Sequence, residues 1–283
     1  MPITGTTRIV GIFGDPVAHS LSPRMQNAAL AAAGIDAVYV PFHVLPSQLA
    51  AAVQAIRVLG MVGVNLTIPH KEAVCALIDE LDPTAALIGA VNTLVNRDGR
   101  LVGYNTDGIG LVRALSEELS LSVRGKSVLV VGAGGAARAA LVALAGAGAS
   151  WMGVANRTAS RADRLLQELA PHLPQVELVS LPLHGSALAE ALPQQVDLLV
   201  NTSALGLHGE PCDLPLTRLV RGSGSVYDMV YGRQATPLIE AAQRAGFAAA
   251  DGRGMLAGQG AAAFSLWFGI DPPPGVMRAA LAM

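Results

Sequence analysis

The sequence predicts an α/β fold, and three observations carry that prediction. Short apolar runs rich in β-branched residues alternate along the chain with alanine- and leucine-rich stretches of helical length, the pattern of successive βα units. Apolar residues make up 52% of the 283 and charged ones 14%, which allows a large buried core and excludes a disordered chain. At the centre, the all-apolar run Val128–Val131 suits a strand covered on both faces of a parallel sheet. It leads into Gly132-Ala-Gly-Gly-Ala-Ala137 and an alanine-rich helix over 139–145.

In order from the start, Arg8–Gly14 reads as a first strand, ended by Gly14-Asp15-Pro16. A helix over 25–33 follows, with Ser22 as its expected N-cap and Pro23 at its first position. Ser20 has no such structural duty, and two hydroxyls beside a helix start suit a carboxylate. Ala37–Phe42 is a second strand and Gln48–Leu59 a second helix. The strand beginning at Met61 runs into a polar tip that carries Asn65, Thr67, His70 and Lys71, with a helix expected over 72–78. A lysine just past a strand end lies where open α/β sheets bind ligands. His70 is expected to be structural or at the surface.

A helix over 85–90 and a strand over 91–95 lead to Asn96-Arg-Asp-Gly-Arg100, a hairpin turn with an Asp-Gly signal. The return strand 101–104 delivers Asn105, Thr106 and Asp107 to its end. Asp107 by itself reads as a cap for the helix over 109–118.

The central glycine turn opens a second βα series. Gly132, Gly134 and Ala137 form G-x-G-x-x-A between strand and helix, a dinucleotide-binding fingerprint. The first glycine makes the turn, the second lets backbone approach a pyrophosphate, and the small third residue lets helix and strand pack. Trp151–Ala155 is the next strand. At its end an NAD site would hold an acidic residue for the ribose 2′-hydroxyl, but the chain has Asn156-Arg157-Thr158, with Arg161 four residues after Arg157. On a helix, that spacing sets both arginines on one face, where guanidinium groups would clasp a 2′-phosphate. NADP is therefore favoured over NAD. Strands over 176–180, 196–201 and 225–231 follow, with helices between them and one over 236–245. Asp251–Gln259 is expected to be a second glycine-rich turn before an apolar helix over 261–268 and a final short one.

Net charge is −2 with no lysine/arginine run, which argues against nucleic acid and anionic membrane as partners. Cys75 and Cys212 lie far apart without metal-ligand spacing and fit buried free thiols in a reducing compartment. With no signal-peptide pattern and no run of membrane-spanning length, a cytoplasmic location is expected.

Taken together, the polar tips resemble one family, the shikimate dehydrogenases. The matching motifs are Ser20-Leu-Ser-Pro23, Asn65-Leu-Thr-Ile-Pro-His-Lys71, Gly89-Ala-Val-Asn-Thr93 and Gly103-Tyr-Asn-Thr-Asp-Gly108. They continue through Gly132-Ala-Gly-Gly-Ala136, Asn156-Arg-Thr158, Asp228-Met-Val-Tyr231 and Asp251-Gly-Arg-Gly-Met-Leu-Ala-Gly-Gln259. The resemblance implies two α/β domains: a substrate domain of residues 1–107 completed by the C-terminal helices 253–283, and a Rossmann-type, doubly wound NADP-binding domain of residues 108–252. It implies NADPH-dependent reduction of 3-dehydroshikimate to shikimate, with no metal.

The family's roles fall on matching positions. Ser20 and Ser22 would bind the substrate carboxylate; Thr67, Asn92, Asp107 and Gln259 would hold ring hydroxyls, with Tyr231 nearby. Lys71 would be the catalytic acid/base, paired with Asp107 as one unit. Gly132, Ala133, Gly134, Gly135, Ala136, Asn156, Arg157, Thr158, Arg161, Met229 and Gly254 would line the cofactor. Expected partners are the small-molecule substrate alone, with the chain a monomer or homodimer. Rival readings are a quinate/shikimate dehydrogenase using NAD(P) and a non-catalytic NADP sensor. A glutamyl-tRNA-reductase-like enzyme would need a nucleophilic cysteine and a basic surface.

Overall fold

The computed structural model describes residues 2–207, 209–232 and 234–282. The chain forms two compact units, Met1–Gly110 with Leu256–Met283, and Leu111–Met255.

In the first unit β1 (Arg8–Gly14), α1 (Ser22–Ala32), β2 (Ala37–His43), α2 (Leu49–Val58) and β3 (Gly63–Leu66) alternate as expected. Then come α3 (His70–Ala73), β4 (Glu80–Leu81), α4 (Pro83–Ile88), β5 (Thr93–Arg97) and β6 (Arg100–Tyr104), and α5 (Asp107–Leu119) starts in this unit and continues as the first segment of the second. The sheet runs β2-β1-β3-β5-β6-β4. β1 pairs in parallel with β2 and β3, while β5 is antiparallel to both β3 and β6. The hairpin between β5 and β6 turns at Asp98 and Gly99, both at positive φ, as a two-residue Asp-Gly turn requires.

The expected helix over 72–78 is instead a single α turn, α3, followed by a 3-10 turn over Val74–Leu77. β4 carried no signal, because two residues are too few to display a period of two.

The second unit contains β7 (Ser127–Val131), α6 (Gly135–Gly146), β8 (Trp151–Asn156), α7 (Ala159–Leu169), β9 (Glu177–Pro182), α8 (Gly185–Ala191) and β10 (Val196–Asn201). It continues with α9 (Leu216–Leu219), β11 (Val220–Asp228), α10 (Pro237–Arg244) and β12 (Ala248–Asp251). Its sheet runs β12-β11-β10-β7-β8-β9, and every pairing is parallel. That is the doubly wound order, reversing direction between β7 and β10, where such sheets bind ligands beyond their carboxyl ends. Val128, Leu129, Val130 and Val131 are fully buried, as a central parallel strand covered on both faces should be.

Two expectations in this half are corrected. The strand placed over 225–231 ends at Asp228, because the Asp228 carboxylate accepts the Val230 N–H and the Thr236 hydroxyl. Backbone that would have continued the ladder turns away instead. The glycine-rich stretch 251–259 is not a turn: Asp251 ends β12, and α11 (Gly252–Phe268) begins immediately after it. Helical glycine costs about 1 kcal/mol relative to alanine, and close packing explains its use here. A Cβ at Gly258 would lie 3.0 Å from the Gly110 Cα, and one at Gly260 would strike Met25. α12 (Val276–Leu281) closes the chain.

Within the first unit, α1, α11 and α12 cover one face of the sheet through Met25, Phe264, Trp267 and Met277. The opposite face packs Val53 and Ile56 of α2 against Val64, Leu66 and Leu94. Trp267 donates its indole N–H to the Leu94 carbonyl (2.9 Å), directly over Gly63, where a Cβ would run into both groups. Gly63→Ala is therefore expected to cost about 1–3 kcal/mol by overpacking. Urea unfolding checks this, and an unchanged midpoint would show that the sheet absorbs the methyl.

Cys75 and Cys212 are free and half-buried. Among the described residues, no helix is long and apolar enough to cross a membrane.

Candidate active site and dinucleotide cradle

In the first unit, topology gathers the polar tips on one edge of the sheet. β1, β3 and β6 end there, and antiparallel β5 begins there. Ser20 therefore follows β1, Thr67 follows β3, Asn92 precedes β5, and Asp107 follows β6.

The closest association is Lys71 with Asp107. Lys71 lies in the single turn of α3 and donates from Nζ to Asp107 Oδ2 at 2.6 Å. Their side chains are 32% and 16% exposed, so the pair is screened from bulk water yet open enough to meet a ligand. Asp107 is the first residue of α5, and its carboxylate does not cap that helix. Its other oxygen, Oδ1, accepts from Asn92 Nδ2 at 2.7 Å, and its backbone N–H is held by Asn105 Oδ1. Asn92 is itself fixed, because its Oδ1 accepts the Thr106 N–H (2.9 Å) and the Thr93 hydroxyl (2.9 Å).

Ser22 does not take the capping role expected of it. Leu21, not Ser22, is the residue before α1, and it makes no side-chain cap. Ser22 is the first helical residue; its N–H is taken by Ser20 Oγ at 3.2 Å. Its buried hydroxyl hydrogen-bonds the Tyr39 phenol. Ser20 thus accepts one N–H and keeps its own proton for another acceptor.

Thr67 is half-buried, and its Cγ2 lies close against Gly14. Gln259 sits on α11 with its amide donating to the Leu256 carbonyl. His70, expected to be structural, is buried with Nε2 at 2.7 Å from the Val44 carbonyl.

Sequence reading missed part of this site. Thr106 and Thr93 complete the setting of Asn92, yet nothing in their local pattern distinguishes them from ordinary strand and loop threonines. Asn65, visible only as one of several polar residues on the β3 tip, is 4% exposed and fully engaged.

In the second unit, Gly132 has φ +112°, a region open to glycine and strained for other residues. A Cβ there would sit 2.7 Å from Thr202 Oγ1. Gly134 is extended, and a Cβ on it would meet nothing within 4 Å. No protein neighbour demands that glycine, which fits backbone left bare for a ligand. Gly135 and Ala136 are exposed and Ala133 half-buried, while Ala137 is fully buried against the sheet. α6 starts without a side-chain cap, so its first N–H groups are available to phosphate oxygens.

Asn156 ends β8 and donates to the Thr158 carbonyl (2.8 Å). Arg157 precedes α7 rather than standing on it, so the shared-helix-face argument fails for this pair: α7 begins at Ala159 after Thr158. Arg157, Thr158 and Arg161 are exposed, and neither guanidinium has a partner among the described residues. No carboxylate occupies the end of β8. The donor set therefore fits a dinucleotide bearing a 2′-phosphate.

Met229 is half-buried, its N–H given to the Asn201 carbonyl at 2.9 Å. Asp228 beneath it is fully buried and accepts from Asn201 Nδ2 (2.8 Å); burial pushes its carboxyl above the usual range. Tyr231 follows β11 and is exposed. Gly254 is buried in α11, where a Cβ would press on the Glu118 carboxylate.

Three family models match this chain. They are the shikimate dehydrogenase substrate binding domain over residues 12–94, shikimate / quinate 5-dehydrogenase over 114–195, and the shikimate 5'-dehydrogenase C-terminal domain over 252–282. The chain is 49% identical to the shikimate dehydrogenase (NADP(+)) of Geobacter sulfurreducens, covering 99% of this chain and 98% of that protein. Shikimate 5-dehydrogenase of Thermus thermophilus, solved with NADP(H) and shikimate, aligns with a TM-score of 0.85 at 37% identity. That alignment spans 97% of this chain and 98% of the other. The ligand-free 5-ketofructose reductase of a Gluconobacter strain aligns with a TM-score of 0.90 at 34% identity, over 98% and 99% of the two chains.

Proposed function

This chain belongs to the shikimate dehydrogenase family and interconverts 3-dehydroshikimate and shikimate with NADP(H); we propose that the Lys71–Asp107 pair moves its proton. The observation that carries the proposal is the 2.6 Å contact between Lys71 Nζ and Asp107 Oδ2, in a part-buried site where Asn92 steadies the second carboxylate oxygen.

Reducing a ketone to an alcohol requires a hydride at carbon and a proton at oxygen. NADPH, when bound, supplies the hydride. An amine N–H on the ketone oxygen stabilises the negative charge that develops there and can hand over the proton. Asp107 holds Lys71 in that direction, and the reverse reaction returns the proton by the same route. The two groups share one hydrogen bond and act as a unit.

Ser20 has a proton free for the substrate carboxylate, and Ser22 lies beside it at the start of α1. Neutral donors there orient the acid without an ion pair. Thr67, Asn92 and Gln259 are proposed to hold ring hydroxyls, and Tyr231 is proposed as a further substrate-binding residue. The backbone of 132–136 would take the pyrophosphate, and Asn156, Arg157, Thr158 and Arg161 the 2′-phosphate end. Met229 and Gly254 complete the proposed cofactor set. We also propose a cytoplasmic monomer or homodimer, supported by the low net charge and the two free thiols.

Because a ketofructose reductase shares this fold, substrate range is the direct test. Initial rates with shikimate, quinate and fructose, each with NADP and NAD, are expected to be highest for shikimate with NADP. A higher kcat/KM for quinate with NAD would overturn the assignment of substrate and cofactor together.

A further inference from the structure

We infer that Thr93 is a positioning residue for the proposed Lys71–Asp107 pair, acting through a buried, one-way relay of hydrogen bonds from Tyr39 through Asn65, Thr93 and Asn92 to the Asp107 carboxylate. This inference rests on the reading of that pair given above.

The direction of every bond in the relay is forced. Asn65 Nδ2 donates to the backbone carbonyl of Asn92 (3.0 Å), so this amide cannot be flipped. Its Oδ1 must then accept, and the Tyr39 hydroxyl donates to it at 2.8 Å. The second Asn65 N–H goes to Thr93 Oγ1 at 3.0 Å. Thr93 has one proton, and it is given to Asn92 Oδ1 at 2.9 Å. Thr106 Oγ1, at 3.5 Å from the Thr93 oxygen, is too distant to compete well. Asn92 Oδ1 also accepts the Thr106 backbone N–H, a donor that cannot reverse. Asn92 Nδ2 is therefore locked toward Asp107 Oδ1.

Tyr39, Asn65, Asn92 and Thr93 are each at most 4% exposed. Water cannot replace a lost partner there, and low local dielectric strengthens each link. Burial pushes the Tyr39 phenol up, so it remains a donor. The sheet supplies the spacing: Asn65 lies directly opposite Thr93 across β3 and β5, and Tyr39 reaches past β1 from β2. At its far end the Tyr39 phenol meets Ser22. The relay thus joins the start of α1, proposed to face the substrate carboxylate, to the group proposed to carry the proton.

Thr93 is the one link whose hydroxyl both accepts and donates between two amides. Thr93→Val keeps the shape but strands one Asn65 N–H and removes a donor from Asn92, loosening the amide that holds Asp107. Misplacing a catalytic group by a fraction of an ångström to about 1 Å costs about ten- to a hundredfold in rate. The expected result is a kcat loss of that size with KM for NADPH unchanged. Thr93→Ser, which restores the hydroxyl, is expected to return kcat close to the wild-type value.

A Thr93→Val enzyme that is folded by circular dichroism and keeps full kcat would overturn the relay, whatever its melting temperature. Should that variant not fold, Tyr39→Phe decides the question. It removes only the first donor and is expected to lower kcat in the same direction, and a full kcat there overturns the relay. Lys71→Ala, measured alongside, separates the two levels. Retained turnover in Lys71→Ala sinks the pair and the relay with it. A dead Lys71→Ala beside a fully active Thr93→Val sinks the relay alone.

Discussion

Lys71→Ala is expected to lower kcat by about 10²–10⁴-fold, the usual contribution of a positioned acid or base, while the fold and NADPH binding persist. Lys71 belongs to a single helical turn and is about one-third exposed, so removing its side chain empties little of the core. The Asp107 carboxylate left behind still accepts from Asn92 Nδ2 and still meets solvent, which limits the penalty of an unpaired charge. Rates with saturating shikimate and NADP, together with a fluorescence titration of NADPH, separate chemistry from binding. Near-normal turnover would remove Lys71 from the mechanism.

Asp107→Ala is expected to lose a similar amount. The double variant should be little worse than either single one, since residues that act as a unit are not additive. Independent, multiplying losses would mean that the two residues serve separate steps despite their 2.6 Å contact.

The second large effect concerns the cofactor. Arg157→Ala is expected to raise KM for NADPH by about ten- to a hundredfold, the equivalent of one charged hydrogen bond worth about 1.5–3 kcal/mol. KM for NADH should barely change. Arg157 is exposed and has no partner among the described residues, so its loss should move the melting temperature little. Arg161→Ala is expected to act in the same direction. Equal weakening of NADPH and NADH would mean that Arg157 does not read the 2′-phosphate.

Local chemistry accounts for the parts of the molecule that were legible without coordinates. β1 at Arg8–Gly14 and β10 at Val196–Asn201 lie where their apolar runs put them. The Asp98-Gly99 turn and the glycine cradle after β7 also follow from residue type, because positive φ and bare backbone restrict the choice. Misreadings arose where a long-range neighbour overruled a local preference. Gly252, Gly254 and Gly258 suggested a turn, but close packing makes small residues useful inside α11. Ser22 looked like a cap, but Ser20 takes its N–H and Tyr39 its hydroxyl. Arg157 and Arg161 suggested one helix face, but α7 starts between them.

The sequence by itself determined the chemical inventory: a glycine cradle, two arginines in place of an acid, and serines, lysine and aspartate on the tips of an α/β fold. Those assignments rest on what each side chain or bare backbone can do locally. Only the tertiary structure decided which of them meet. Lys71 and Asp107 are 36 residues apart, Tyr39 and Asn65 26, and Asn65 and Thr93 28. Strand order and register bring them within hydrogen-bonding distance, and burial away from water then leaves each polar group only the partner that the sheet provides.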